Sequence, residues 1–261
     1  VIVFAGPSLG AEDRARFPGA EWRPPAEAGD LLRLLDRPEP RIVLIDGYFD
    51  HRPAPRHKEI LHLLAQGAEI WGAASIGALR AAEMAAFGMI GIGAIFRAYA
   101  TGRITGDDEV ALAHGPAEWT WRPLSVPLVD VRATLCRAVR ESVLWPEEAR
   151  HVHAAAASIY YAERTWEAVL EETNRAPSPP DRGPTGTRLS TWLSGVSLSQ
   201  KRIDALACLS AAAAGRRAPA TRPAAVRTLF LDLLAHEAGV NLDPPQAPAL
   251  VAPPATHAEP R

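Results

Sequence analysis

The residues best placed to do chemistry lie in the stretch Trp71-Gly72-Ala73-Ala74-Ser75-Ile76-Gly77-Ala78-Leu79-Arg80. A serine on a strand-to-helix turn, flanked by small residues, follows the nucleophile elbow G-x-S-x-G with Ala73 in place of the first glycine. A sharp turn pushes the hydroxyl beyond the carboxyl edge of the sheet, and small neighbours let the backbone close up. The first amides of the following helix, around Ile76 and Gly77, lack intrahelical partners and can stabilise an oxyanion. Serine is also a common helix N-cap, so two uses of Ser75 stay open: nucleophile or cap.

A serine nucleophile needs a base. The chain has 26 arginines but only two lysines, Lys58 and Lys201. Arginine is thus its default cation, and a retained lysine suggests a need for a compact amine able to lose its proton. Lys58 and its neighbour His57 fall at the start of the helix after the second apolar strand, on the same edge as Ser75. The positive helix terminus and partial burial there both disfavour the ammonium form. Ser75 and Lys58 therefore suit a serine-lysine pair, with His57 as a rival base or capping residue. The opposing reading pairs Lys58 with Asp50 or Glu59 on the surface.

Further polar groups belong to the segments around that edge: Gly6-Pro7-Ser8, Asp46, Arg80 and Glu83. Arg80 and Glu83, spaced i, i+3, form either a salt bridge on a helix face or, for Arg80, a contact to an acyl carboxylate or a partner's C-terminus. Asp107-Asp108-Glu109 with His114 matches no metal-ligand signature and reads as the solvated start of a helix through GDDEVALAHG. Cys136 and Cys208 lie too far apart, and too far from other ligands, to suggest a disulfide or zinc site. Both read as reduced core residues.

The elements that must position these groups are legible. VIVFAG, RIVLIDG and AEIWGAAS read as buried strands, the first two ended by Gly6-Pro7 and Asp46-Gly47. PAPRHKEILHLLAQG is a helix opened by Pro53 and Pro55 and closed by Gly67, and IGALRAAEMAAFG is a second helix stopping at Gly88. Residues 1 to about 90 are thus α/β. From about 128 to 174 apolar residues recur at helical spacing, broken once at Pro146. Residues 176–188 are a Pro/Gly-rich loop, two more helices run to about Gly239, and the remainder has the composition of a disordered tail. The expected fold is a small N-terminal parallel sheet with helices, followed by a mostly helical C-terminal half. Its segments are an α/β core over 1–125, a helical region over 126–240 and a Pro-rich tail over 241–261.

Composition narrows the function. The chain has 261 residues, is 48% hydrophobic and carries a formal net charge of -2 from 28 basic and 30 acidic residues. Its bulk can bury a sizeable core, and its charge gives no reason to expect nucleic acid or an anionic membrane as partner. With no apolar run of roughly 18 residues and no signal-peptide pattern at its start, a cytoplasmic protein is expected.

The successive stretches FAGPSL, IDGYFD, HKEIL, GAASIGALRAAE, FGMIGIG and DDEVALAHG, in this order and spacing, resemble the TfuA-like family over roughly residues 1 to 140. The resemblance implies a companion of a YcaO enzyme, which uses ATP to activate peptide backbone amides so that sulfur replaces oxygen. It implies hydrolysis of the C-terminal thiocarboxylate of a ThiS-like sulfur carrier, with sulfide released to the YcaO and with help to the YcaO in engaging its precursor peptide. It also implies a family-specific fold; no cofactor and no metal are expected. The family's serine falls on Ser75 and its lysine on Lys58, with Ile76 where methionine is usual, a volume-tolerant exchange. Gly6, Ser8, Asp46, His57, Glu59, Ile76 and Gly77 are then oxyanion or supporting residues, the amides near Ile76 and Ser8 being the oxyanion donors. Arg80 and Glu83 become substrate or partner contacts. A non-catalytic adaptor docking YcaO and carrier, with Ser75 as a cap, is the alternative.

Overall fold

The computed structural model describes residues 1–37, 40–48, 52–175, 183–196, 198–215, 223–224 and 227–242. Five strands, β1 (Ile2–Phe4), β2 (Glu21–Arg23), β3 (Arg41–Leu44), β4 (Glu69–Gly72) and β5 (Ile90–Gly91), form one parallel sheet in the order β2-β1-β3-β4-β5. Val43 stands opposite Val3 on one side and Trp71 on the other. Side chains alternate across the pleat, so Ile2, Phe4, Ile42, Leu44 and Ile70 face one layer while Val3, Val43 and Trp71 face the other. Burial on both faces explains why the central strands read as unbroken apolar runs.

The helices are α1 (Ala11–Ala15), α2 (His57–Ala65), α3 (Ile76–Met84), α4 (Ala94–Ala100), α5 (Leu128–Arg140), α6 (Pro146–Ser158), α7 (Trp166–Asn174), α8 (Thr185–Leu193), α9 (Gln200–Ala213) and α10 (Leu229–Ala238). Ile60, Leu63 and Leu64 of α2 and Ile76, Ala81 and Met84 of α3 cover the first sheet face. Ala205, Cys208, Leu209 and Ala212 of α9 cover the second. The sheet therefore takes one of its two helical layers from late in the chain. Helices α5 to α8 bury their own cluster around Val131, Leu135, Val152, Val169 and Leu189, and α10 packs Leu231, Leu234 and Ala235 on Leu32.

The structure bears out an α/β sheet joined to a helical half, and corrects several details. The sheet has two strands beyond the three expected, because β2 (Glu-Trp-Arg) is a half-buried edge without an apolar run and β5 is only two residues long. GDDEVALAHG is no helix: a single 3-10 turn at Asp107–Glu109 gives way to irregular chain. There the Val110 carbonyl accepts from Lys201 Nζ at 2.9 Å and the Ala113 amide donates to Ser125 Oγ at 2.8 Å, tertiary bonds that replace the helical ladder. Nor is its acidic turn fully solvated, since Glu109 is buried against Arg132. Among the described residues after 182 three helices follow rather than two, α8 starting inside the expected loop. Cys208 is buried but Cys136 is exposed. Most of the expected tail lies outside the described residues. Among the described residues no helix is long and apolar enough to cross a membrane.

Candidate active site

Strands β3 and β4 are neighbours, and the chain leaving each turns into a helix on the same sheet face. Beyond β4 the Ala73 amide still donates to the Leu44 carbonyl at 3.2 Å. Ala74 then takes φ 68° and Ser75 φ -110°, ψ -129°, before α3 begins at Ile76. A left-handed alanine costs about 1–2 kcal/mol, so this is a strained turn held by its surroundings. Two glycines make it possible. A Cβ on Gly72 would collide with the Gly77 carbonyl oxygen, and one on Gly77 with the Leu44 carbonyl. Gly77 instead approaches β3 closely enough for its amide to donate to the Ile45 carbonyl at 3.2 Å.

The geometry separates the two uses of Ser75. It occupies the N-cap position of α3, yet its hydroxyl makes no capping hydrogen bond. The Ala78 amide, which a capping serine would take, donates to the Ser75 carbonyl at 2.9 Å. With Gly77 and Ala78 so engaged, the Ile76 amide, like that of Ala74, has no acceptor among the described residues. Ser75 itself is 8% exposed. An uncommitted hydroxyl and an uncommitted amide thus share one nearly buried turn.

Asp46, just beyond β3, organises the loop after β1. Its Oδ2 accepts from the Gly6 and Ser8 amides at 2.8 and 3.0 Å, and its Oδ1 from Ser8 Oγ at 2.7 Å. The Ser8 amide expected as an oxyanion donor is therefore committed to a carboxylate, and the Gly6-Ser8 loop braces the site.

Lys58 is the second residue of α2, half-buried, and forms no ion pair among the described residues. The expected surface pairing with Glu59 does not form, and Asp50 lies outside the described residues. Glu59 is buried, its Oε1 accepting from the Arg56 amide at 2.6 Å and its Oε2 from the Gly29 and Leu31 amides at 3.0 and 3.2 Å. Burial pushes this carboxyl up to about 7 against those three donors. Next to Lys58, His57 Nε2 meets Glu83 Oε2 at 2.7 Å, and the same oxygen accepts from Arg80. Arg80 Nε also donates to the Pro55 carbonyl at 2.8 Å. Arg80 and Glu83 thus clasp the start of α2 to α3, and the i, i+3 salt bridge offered as one reading of the pair is formed.

Against these observations stand the comparisons. Residues 46–165 match the TfuA-like protein family. The chain carries a TfuA-like domain. No curated protein matches it. The TfuA-like domain opens at Asp46 and contains Lys58, Ser75, Arg80 and Glu83, so it starts and ends later than the 1–140 suggested by the motifs. Gly6 and Ser8 lie before it and meet it through Asp46.

One polar residue on α9, beyond the TfuA-like domain, was passed over in the sequence. Lys201 is 2% exposed, with Nζ 3.9 Å from Asp46 Oδ1 and bonded to the Val110 carbonyl. Its amide donates to the buried Asp130 carboxylate at 3.0 Å. Burial holds the Lys201 amine below the usual lysine range and the Asp130 carboxyl above the usual carboxylate range; Asp46, then Asp130, opposes the shift of the lysine. The lysine scarcity that singled out Lys58 applied equally to Lys201, but only folding brings α9 to the end of β3.

Proposed function

We propose that this TfuA-like protein hydrolyses the C-terminal thiocarboxylate of a ThiS-like sulfur carrier and releases sulfide to a YcaO enzyme, which thioamidates a precursor peptide that the protein helps it engage. The observation that carries this reading is the uncapped Ser75 hydroxyl on a strained, glycine-closed elbow. It is supported by the Ile76 amide, which has no acceptor among the described residues, and by Lys58 on the helix after the neighbouring strand, which forms no ion pair among the described residues.

Lys58, reacting as the free amine, takes the Ser75 hydroxyl proton as Oγ attacks the thiocarboxylate carbon, and the Ile76 amide donates to the oxyanion. The tetrahedral adduct collapses with cleavage of the carbon–sulfur bond, and the proton passes from Lys58 to sulfur, which departs as hydrosulfide. Lys58 then accepts a proton from water as that water attacks the seryl ester, and returns it to Ser75 Oγ as the carrier leaves with an ordinary carboxylate. No metal or cofactor enters these steps.

The test is sulfide release from a thiocarboxylated ThiS-like carrier by the wild type, Ser75→Ala and Lys58→Arg, with intact mass recorded for the carrier. Loss of release in both variants, with folding and carrier binding retained, is expected; Lys58→Arg keeps the charge but removes the base. Equal release from all three, or none from any while thioamidation still requires the protein, would favour a non-catalytic adaptor.

A further inference from the structure

Helices α4, α5, α6 and α9 enclose an open groove of about 1070 Å³, and none of its lining residues belongs to the Ser75 edge. That volume is at the upper end of the roughly 300–1,000 Å³ typical of small-molecule sites. Ile95, Ile104, Val129, Val139 and Ile203 supply apolar lining, with Ile203 45% exposed. Arg103, Arg132, Arg137, Arg140 and Arg150 surround them, and among the described residues no aspartate or glutamate lines the groove.

The charge is one-sided on a chain whose formal net charge is -2. Arg132, Arg137 and Arg150 are partnered outside the groove by Glu109, Glu141 and Glu147. Arg103 and Arg140 have no ion pair among the described residues. His153 also lines the groove, and its Nε2 is buried without a hydrogen-bond partner. An apolar trough between helices, rimmed by cations, matches an amphipathic helix whose polar flanks are acidic.

We propose that this groove docks an acidic amphipathic helix of a partner protein. The helix would place its apolar stripe, at i, i+3, i+4 and i+7, along the floor between α5 and α9. Its glutamates and aspartates would meet Arg103 and Arg140 first, since those arginines have no carboxylate partner among the described residues to exchange. The proposal stands apart from the hydrolase reading and survives if Ser75 is catalytically silent.

Cys136 is an exposed thiol in the groove lining, while Cys208 is buried, so the chain carries its own footprint reporter. The experiment uses the full chain and three fluorescein-labelled probes: an amphipathic Glu/Leu helix, a scrambled peptide of the same composition without an apolar stripe, and the Lys/Leu counterpart of the first. The Glu/Leu helix is expected to bind about tenfold or more tighter than either control and to slow maleimide labelling of Cys136. Arg103→Glu with Arg140→Glu, both exposed and remote from the candidate dyad in sequence, should reverse the preference toward the Lys/Leu helix. Failure of the Glu/Leu helix to bind, equal binding of the scrambled peptide, or binding that leaves Cys136 labelling unchanged would overturn the proposal. So would binding to phosphatidylserine vesicles that the charge reversal abolishes while no peptide binds, which would assign the arginines to a lipid surface.

Discussion

Lys201 Nζ stands 3.9 Å from Asp46 Oδ1, and both side chains are almost wholly buried. The pair fastens α9 to the end of β3 at the point where Asp46 also holds Gly6 and Ser8. Breaking a buried pair from one side leaves an uncompensated charge, so Asp46→Asn or Lys201→Met alone should cost about 3–5 kcal/mol. The double variant should lose less than the sum of the two, with a coupling of roughly 0.5–3 kcal/mol. Urea denaturation of the four proteins completes the cycle; strict additivity would show that the two charges do not support each other.

Glu59 predicts a pH dependence. Its folded carboxyl titrates at about 7 against 4.5 for the ordinary value. The native state therefore holds a proton across that window which the unfolded chain releases, and the sign of the linkage makes stability fall as pH rises from 4.5 to about 7 and level above it. The predicted loss is of order 3 kcal/mol. Urea midpoints measured at several pH values should show this slope in the wild type and a flatter one in Glu59→Gln. Parallel slopes would mean that the amides of Gly29, Leu31 and Arg56 hold the carboxylate ionised throughout.

What the sequence disclosed about this site depended on range. Ser75, its small neighbours and the strand before it are contiguous, and a turn of that composition has few ways to fold, so the elbow was legible. The same locality made α2 and α3 readable from their prolines, glycines and apolar faces. Asp46 with Ser8 and Lys201 with Asp46 span 38 and 155 positions, and no periodicity encodes such meetings. GDDEVALAHG forms no helix for a related reason: its local propensity is helical, but Lys201 and Ser125 offer its backbone partners from elsewhere in the fold. Exposure of Cys136 escaped because amphipathic spacing shows that a helix has two faces without fixing which boundary residue falls outside.

Gly77 and Gly102 separate two reasons for a glycine. A Cβ at Gly77 would fall on the Leu44 carbonyl, backbone that cannot step aside, so Gly77→Ala should cost about 3 kcal/mol or more and displace the elbow. Gly102 has φ +67° and open space around it, so Gly102→Ala should cost only about 1–2 kcal/mol of backbone strain. Thermal denaturation checks the ranking. Equal losses would mean that the α3 start can retreat from β3.

Arg80 offers a kinetic test of its place in the site. Its bonds to the Pro55 carbonyl and Glu83 hold the segment that delivers His57 and Lys58 to the sheet edge. The ion pairs with Glu83 are partly exposed, so Arg80→Ala should change stability by no more than about 1 kcal/mol. If Lys58 is the base of the proposed hydrolysis, displacing it by a fraction of an ångström is far more costly to the rate, and kcat for thiocarboxylate hydrolysis should fall about tenfold or more. If Arg80 acts only by positioning α2, KM for the carrier stays within about twofold and the Glu83→Gln variant, which loosens the same clasp, moves kcat in the same direction. A raised KM with kcat unchanged would instead put Arg80 in contact with the carrier, because a side chain that binds substrate and transition state equally lowers KM without altering the chemical step.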